Sequence, residues 1–449
     1  MMRVLLSQIA QWVDAELAGE DSEVEHVSIN TRTLHPGDLY IAIKGSHFDG
    51  NDFVDQAEQA GACAVIVSKP VETRLPALKV EDTRLALAQI AGHWRNRMPA
   101  RIVGITGSNG KTTAKEMTAA VLGNDDSVLF TAGNLNNDIG VPLTLLRLEE
   151  KHRFGVIEMG ANHVGEIAYT SRFVQPDVTI ITNAGPAHLE GFGSIEGVSR
   201  GKGEIIGALK ETGTAVLNHD DVYFDYWHSL AGKRKVISFG MNPGADVTSD
   251  GFKTEITENR FCTAFTLRYK NAFIEIRLNL AGRHNVLNAL AASAAGLALG
   301  LDLDQIKRGL ESVQPVNGRL CPLAGQLGNI VIDDTYNANF ASLNAALAVL
   351  MDCDGEPWVA LGAFGELGPE SSLIHHDMGK QMKALGVKKL FATGDDARQS
   401  VEAFGEGAVY FETQQALIDA LKSEQQGREA ILVKGSRSQR MENVVNAIV

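Results

Sequence analysis

Ile102-Val103-Gly104-Ile105-Thr106 runs straight into Gly107-Ser108-Asn109-Gly110-Lys111-Thr112-Thr113, and this junction leaves the chain few folds to choose from. The apolar, β-branched run predicts a strand. The pattern from Lys115 to Leu122 predicts a helix behind the glycine turn. Strand, glycine turn, lysine, hydroxyl and helix are the parts of a nucleotide phosphate cradle. Glycine lets backbone N–H groups turn inward to hold phosphate oxygens. Lys111 then meets the terminal phosphates, and Thr112 offers a hydroxyl to Mg²⁺. The generic cradle motif opens on Gly where this chain has Ile105, so the loop is a variant. An ordinary surface turn bearing a lysine is the competing reading, and it needs neither the strand before nor the helix behind.

A chain of 449 residues predicts roughly three domains of ordinary size. A hydrophobic share of 44% is enough to fill a core in each, and a net charge of −14 argues against nucleic acid as a partner. Cys63, Cys262, Cys321 and Cys353 lie far apart with no CxxC, which suggests neither a disulfide framework nor a zinc site. The N-terminal stretch Met1 to Gln8 turns polar too soon for a signal peptide. The most apolar window, Leu287 to Leu301, carries Asn288 and Ser293 and is too short to span a bilayer. A cytoplasmic protein without a transmembrane segment is expected.

Residues 1–82 read as a small α/β unit. Its strands are expected at Val24 to Ile29, Asp38 to Ile43 and Cys63 to Val67, with a helix from Asn51 to Ala60. Two polar, glycine-bounded loops carry Arg32 and Lys44, which suit either a diphosphate or plain solvation. Residues 83–311 form the second unit, entered through a helix from Thr83 to Arg97. After the cradle, strands are expected at Val128 to Ala132, Phe154 to Ile157 and Val178 to Ile181. Short buried strands alternating with helices indicate a parallel sheet. Ala264 to Leu280 alternates around Lys270-Asn271 and predicts an antiparallel hairpin, and an Ala-rich helix is expected from Asn285 to Leu299. Residues 312–449 form a third, Rossmann-like unit. Its strands are expected at Ile330 to Asp333, Trp358 to Leu361, Lys389 to Ala392 and Ala430 to Val433. The fold class is thus α/β in three domains.

Polar clusters follow several of these strands, at the sheet edge where ligands bind in parallel α/β folds. Glu158 follows one strand and His188 another. If both strands neighbour the cradle strand, Thr112, Glu158 and His188 make a plausible Mg²⁺ set. A single His after a strand is otherwise more often structural. Lys202 sits between glycines ahead of a helical run, where an exposed lysine is the bland reading. Asp333 to Asn339 suits a ribose or an adenine, or simply a helix N-terminus. Lys434 and Arg437, after the last strand, form a cationic pair for a carboxylate or phosphate.

Together these clusters resemble the Mur ligase family, ATP-dependent amide-forming enzymes of peptidoglycan synthesis. Thr106 to Thr113 is similar to that family's own cradle, which lacks the generic first glycine. Matching motifs run from Ser28 to Arg437. Four segments are similar to the branch that adds D-alanyl-D-alanine to UDP-N-acetylmuramoyl-tripeptide: Asn134 to Thr144, Glu158 to His163, Asp333 to Asn339, and Gly365 to Gly368. The branch that adds the third residue usually carries Asp-Asn-Pro-Arg in its last domain, and this chain has none.

The resemblance implies roles. ATP would be held by Gly107, Ser108, Asn109, Gly110, Lys111, Thr112 and Thr113, with His284, Asn288, Arg319 and Asp334. Mg²⁺ would be held by Thr112, Glu158 and His188, with Lys202 matching a lysine that some members carry as a carbamate. Lys111, His188 and Lys202 would serve catalysis. Ser28, Thr31, Arg32 and Lys44 would hold the UDP-sugar, and Asn134, Asn137, Asn162, Lys434 and Arg437 would lie on the substrate side. A monomer is expected. Two positions depart from the family pattern: Phe340 replaces the usual Pro after Asn-Ala-Asn, and Ala363 replaces the usual acid before Glu-Leu-Gly. A P-loop kinase, a third-residue-adding ligase and a folate polyglutamate ligase are the alternatives. The kinase would lack the flanking units, and the folate ligase would lack the N-terminal one.

Overall fold

A computed structural model describes residues 2–123, 127–186, 188–257 and 260–449. The strand Arg101–Thr106 lies inside a nine-stranded sheet, with Phe154–Glu158 on one side and Val178–Ile181 on the other, all parallel. Glu158 is in register with Ile105 and Ile181 with Thr106, so the three strands end together beside the glycine turn. The chain leaves the cradle strand toward one side and returns on the other, and such a switch point opens a crevice at the strands' carboxyl ends.

The sheet continues through Thr214–Asn218 and Lys235–Phe239 into three antiparallel strands, Val247–Thr257, Arg260–Tyr269 and Ala272–Leu278. The expected hairpin turns at Lys270, whose φ is 53°. The partner strand Val247–Thr257 was not expected, because Ser249, Asp250 and Gly251 interrupt its alternation and mark a register shift. The helix Arg283–Ala298 packs on the cradle helix Lys111–Leu122, one residue or two off its expected bounds.

The helix Thr83–Arg97 joins the first two units. Asp82 caps it by accepting from the N–H groups of Arg84 and Leu85, and Arg95 and Arg97 complete its C-terminal turn. Leu87 and Ile90 are fully buried, and each contributes about 1.5–3 kcal/mol. Thr83 Oγ1 donates to Ala42 O at 2.9 Å, and Trp94 Nε1 to Leu148 O at 3.0 Å, so one apolar core runs through both units. In the first unit, Val24 to Ile29 is not one strand. Glu23–Val24 pairs with Val4–Leu5, while His26–Ser28 pairs with Asp38–Ile41 in another sheet. Alternation alone does not reveal a change of partner within one run. The expected helix at Asn51 to Ala60 begins as a 3₁₀ turn, Gly50–Phe53, and becomes α-helical over Val54–Gln59.

The third unit is a six-stranded sheet. In spatial order it runs Cys321–Ala324, Ile330–Asp334, Glu429–Lys434, Glu356–Gly362, Lys389–Thr393 and Ala408–Phe411, with only the first antiparallel. Asp334 and Lys434 end adjacent strands in register. No helix among the described residues is long and apolar enough to cross a membrane.

Candidate nucleotide and ligation site

The cradle is shaped by two glycines that accept no side chain. Gly107 has φ of 147°, and a Cβ there would lie 1.9 Å from Thr182 Oγ1. Gly110 has φ of 80°, and its Cβ would lie 2.4 Å from Asn288 Oδ1. Thr182 Oγ1 donates to Asn109 O at 2.6 Å, and Asn183 Oδ1 accepts from Asn109 N at 3.0 Å. Thr182 and Asn183, the two residues that follow the strand Val178–Ile181, therefore hold the loop open. Lys111 folds back onto the loop, donating to Gly107 O at 2.8 Å and Ser108 O at 3.2 Å. Desolvation lowers its pKa, with Glu158 opposing and Arg319 reinforcing the shift.

Glu158 is buried at the end of its strand. Its Oε1 accepts from Asn136 Nδ2 at 2.8 Å and from Thr112 Oγ1 at 3.4 Å, whereas Oε2 is buried with no hydrogen-bond partner. An unpartnered carboxylate oxygen beside a hydroxyl suits a hard cation. The described residues contain no cluster of three or more His, Cys, Asp or Glu able to hold a metal. A cation here would draw on one carboxylate, one hydroxyl, one imidazole and the phosphates of a bound nucleotide, which is the usual manner of Mg²⁺.

Lys202 departs from its bland reading. Its side chain is 1% exposed, with Nζ 3.4 Å from Ala161 O and 4.9 Å above the Phe192 ring. Burial, with Lys111 adding repulsion, lowers its pKa to about 7. Lys202 itself lines neither part of the cleft between the second and third units, whereas His188 lines it, its Nδ1 2.8 Å from Glu366 Oε2. Desolvation lowers the imidazole's pKa against the pull of Glu366.

The cleft, about 660 Å³, is shared by the second and third units. Ser108, Asn109, Gly110, Lys111, Thr112, Asn134, Asn137, Glu158, Asn162 and His188 meet Arg319, Asp334, Lys434 and Arg437 there. A joined cavity of about 380 Å³ takes Thr113, His284 and Asn288, with Asn109, Gly110, Arg319 and Asp334 on both linings. Burial pushes His284 down to about 4, so its ring is neutral in the physiological range. A larger cavity, about 930 Å³, lies elsewhere and contains none of the expected site residues.

Ser28, Thr31, Arg32 and Lys44 line neither part of the cleft. Ser28 ends the strand His26–Ser28, and the other three lie on the first unit's loops, where Thr31 Oγ1 donates to Gln56 and Lys44 O accepts from Arg84 Nη2. Arg84 also pairs with Asp138 at 2.7 Å, tying that surface to the Asn134–Asp138 loop. The expected cationic pair at Lys434 and Arg437 is split. Lys434 Nζ is buried against Asp334 Oδ2 at 2.5 Å and Asn337 O at 3.1 Å, while Arg437 is exposed and pairs with Glu442 at 3.1 Å. Asp334 is correspondingly engaged, accepting also from Leu320 N at 3.2 Å. Asn137 Oδ1 is occupied in capping Gly140 N, at 2.8 Å.

Sequence reasoning assigned no individual role to three residues that line the cleft and a fourth that pairs with His188. Asn136 holds Glu158. Tyr336 lies 4.2 Å beneath the Arg319 guanidinium, and Arg319 Nη2 donates to Thr112 Oγ1 at 3.1 Å. Asn339 Nδ2 donates to Asn109 Oδ1 at 2.7 Å, a bond from the third unit to the cradle. The fourth is Glu366. Asn136 and Tyr336 find their partners within their own units, whereas Asn339 and Glu366 find theirs only where the second and third units dock.

The geometry agrees with comparison to known proteins. Family models described as "Mur ligase family, catalytic domain", "Mur ligase middle domain" and "Mur ligase, glutamate ligase domain" match residues 23–95, 105–296 and 318–437. The UDP-N-acetylmuramoyl-tripeptide–D-alanyl-D-alanine ligase of Escherichia coli (strain K12) is 45% identical over 100% of this chain and 99% of its own length. A crystal structure of MurF from Acinetobacter baumannii superposes with a TM-score of 0.93 at 36% identity, covering 99% of this chain and 98% of that one. MurF from Thermotoga maritima, solved in complex with ADP, gives a TM-score of 0.85 at 27% identity over 94% and 97%. With three matched domains and full-length likeness on top of a fitting site, this chain belongs to the Mur ligase family.

Proposed function

We propose that this chain is a cytoplasmic, ATP-dependent ligase of peptidoglycan synthesis. It joins D-alanyl-D-alanine to the terminal carboxylate of UDP-N-acetylmuramoyl-tripeptide, giving the UDP-linked pentapeptide, ADP and phosphate. The observation that carries the reading is the shared cleft, in which Lys111, Thr112 and Glu158 of one unit face Arg319 of another. Its support in substrate terms is the 45% identity to a ligase bearing that name.

A carboxylate is a poor electrophile toward an amine at neutral pH. Activation by ATP removes the difficulty. A carboxylate oxygen of the tripeptide attacks the γ-phosphorus and ADP leaves. The amine of D-alanyl-D-alanine then attacks the acyl carbon, phosphate leaves, and the nitrogen loses a proton. Lys111 releases its two loop carbonyls and turns its ammonium to the terminal phosphates, where charge builds as the bond to ADP breaks. Arg319 adds a second cation at the same end, delivered by the third unit. The N–H groups of Ser108 and Asn109 are taken by Asn183, so the phosphates are met by the first N–H groups of the cradle helix, at Lys111, Thr112 and Thr113. His284 and Asn288 flank the part of the cavity suited to the base. Docking of the third unit excludes water, which would otherwise hydrolyse the acyl phosphate.

Thr112, Glu158 and His188 would hold Mg²⁺, and the free Glu158 Oε2 is the atom that suits it. Bound there, Mg²⁺ supplies charge screening between carboxylate and triphosphate. Lys202, with its pKa near 7, keeps a neutral amine able to take up CO₂ as a carbamate, which would add an anionic oxygen.

The test is phosphate release with ATP and UDP-N-acetylmuramoyl-tripeptide, with and without D-alanyl-D-alanine. Release should require the dipeptide, and Lys111→Ala should abolish it while leaving the thermal midpoint nearly unchanged. Release indifferent to the dipeptide would sink the ligase reading.

A further inference from the structure

His188 and Glu366 both hold left-handed backbone, φ 53° and 61°, although neither is glycine. Such conformations cost backbone energy and gather at functional sites. The two residues meet across the junction of the second and third units, with Nδ1 2.8 Å from Oε2. The Glu366 side chain is 67% exposed, and an ion pair so wet contributes little to stability. Stability is therefore a weak reason for two strained residues to meet.

Glu366 is held in place from behind. Phe364 N donates to His375 Nε2 at 3.0 Å, which puts that ring's proton on Nδ1, and Nδ1 donates to Ser371 O at 2.8 Å. His375 is fully buried, so the segment leading to Glu366 is fastened to the helix Ser371–Leu385. Ser436 Oγ fastens it again, donating to Ala363 O at 2.8 Å. The carboxylate is thus presented by a fixed loop and takes Nδ1 of His188, which leaves Nε2 as the ring nitrogen for the cleft beside Thr112 and Glu158.

The geometry points to Glu366 as a positioning residue. By accepting the Nδ1 proton it fixes the Nδ1–H tautomer of His188 and reserves the Nε2 lone pair for Mg²⁺. This rests on the reading of His188 as a metal ligand. Histidine ligands commonly donate their other N–H to a carboxylate, and losing that partner weakens metal binding by about 10–100-fold. Because Glu366 belongs to the third unit and His188 to the second, the tautomer of the ring is fixed only when the two are docked.

The test uses the full chain, labelled with ¹⁵N-histidine and free of metal, with His188→Gln identifying the ring. Wild type should show a pyrrole-type Nδ1 and a pyridine-type Nε2 at His188. Glu366→Ala should move the ring toward the Nε2–H tautomer, and Glu366→Asp should restore part of the wild-type pattern. Mn²⁺ titrated alone, followed by electron paramagnetic resonance, should bind Glu366→Ala at least about tenfold more weakly, at an unchanged unfolding midpoint. An Nε2–H tautomer in wild type, or a tautomer and Mn²⁺ affinity unmoved in Glu366→Ala, overturns the assignment. If His188→Ala binds Mn²⁺ like wild type, the metal reading of His188 fails, and the tautomer comparison alone decides whether Glu366 fixes the ring.

Discussion

Replacing Lys202 by Met should stabilise the protein, and by an amount that depends on pH. The ammonium is 1% exposed, with one long hydrogen bond, 3.4 Å to Ala161 O, and the Phe192 ring 4.9 Å away. The neighbouring Glu204 carboxylate is engaged by Gly165 N at 2.6 Å and Ala168 N at 2.9 Å. The folded pKa is about 7 against an ordinary 10.5. At about 1.36 kcal/mol per pKa unit, the charged form costs the fold about 5 kcal/mol. The folded value is the lower one, so the unfolded chain binds the extra proton between the two. The penalty is therefore complete below pH 7 and fades as pH rises toward 10.5. It falls to about 2 kcal/mol at pH 9, where only the unfolded chain is still largely protonated. Methionine is unbranched and only one heavy atom shorter, and it carries no charge. Urea unfolding of both proteins in bicarbonate-free buffer at pH 6 and pH 9 should show the advantage of Lys202→Met shrinking by about 3 kcal/mol. An equal advantage at both pH values, or a loss of stability at pH 6, would refute the reasoning. The variant should also lose ligation, so stability and activity would move in opposite directions.

Gly107→Ala should cost about 2–4 kcal/mol, since the new Cβ would displace the Thr182 hydroxyl that holds Asn109 and would strain a left-handed backbone; a calorimetric midpoint and ADP affinity equal to wild type would contradict this. Arg319→Ala removes a charged donor to Thr112 and should raise KM for ATP about tenfold or more; steady-state kinetics with an unchanged KM would show that the third unit does not reach the nucleotide.

The carboxyl-edge geometry of the site was legible from residue order. Glu158 and the cradle each follow a short buried strand, and parallel pairing then brings strand ends together, as the register of Glu158 with Ile105 shows. The four inner strands of the third sheet were legible for the same reason, whereas its edge strands, Cys321–Ala324 and Ala408–Phe411, were not expected. The split of Val24 to Ile29 was not, because a strand's pattern records which face is buried and not which strand lies beside it.

The cradle, the α/β class and the family can be read along the chain, because these rest on local spacing: glycines where side chains do not fit, and apolar runs of strand length. Tertiary structure decided the state of the charges. Lys202 reads as an exposed lysine along the chain and is buried over Phe192 in the fold. Lys434 reads as half of an anion clamp and is neutralised by Asp334 on the neighbouring strand. His188 acquires its partner, Glu366, from another unit. Desolvation and ion pairing depend on neighbours distant in sequence, and no local pattern encodes them.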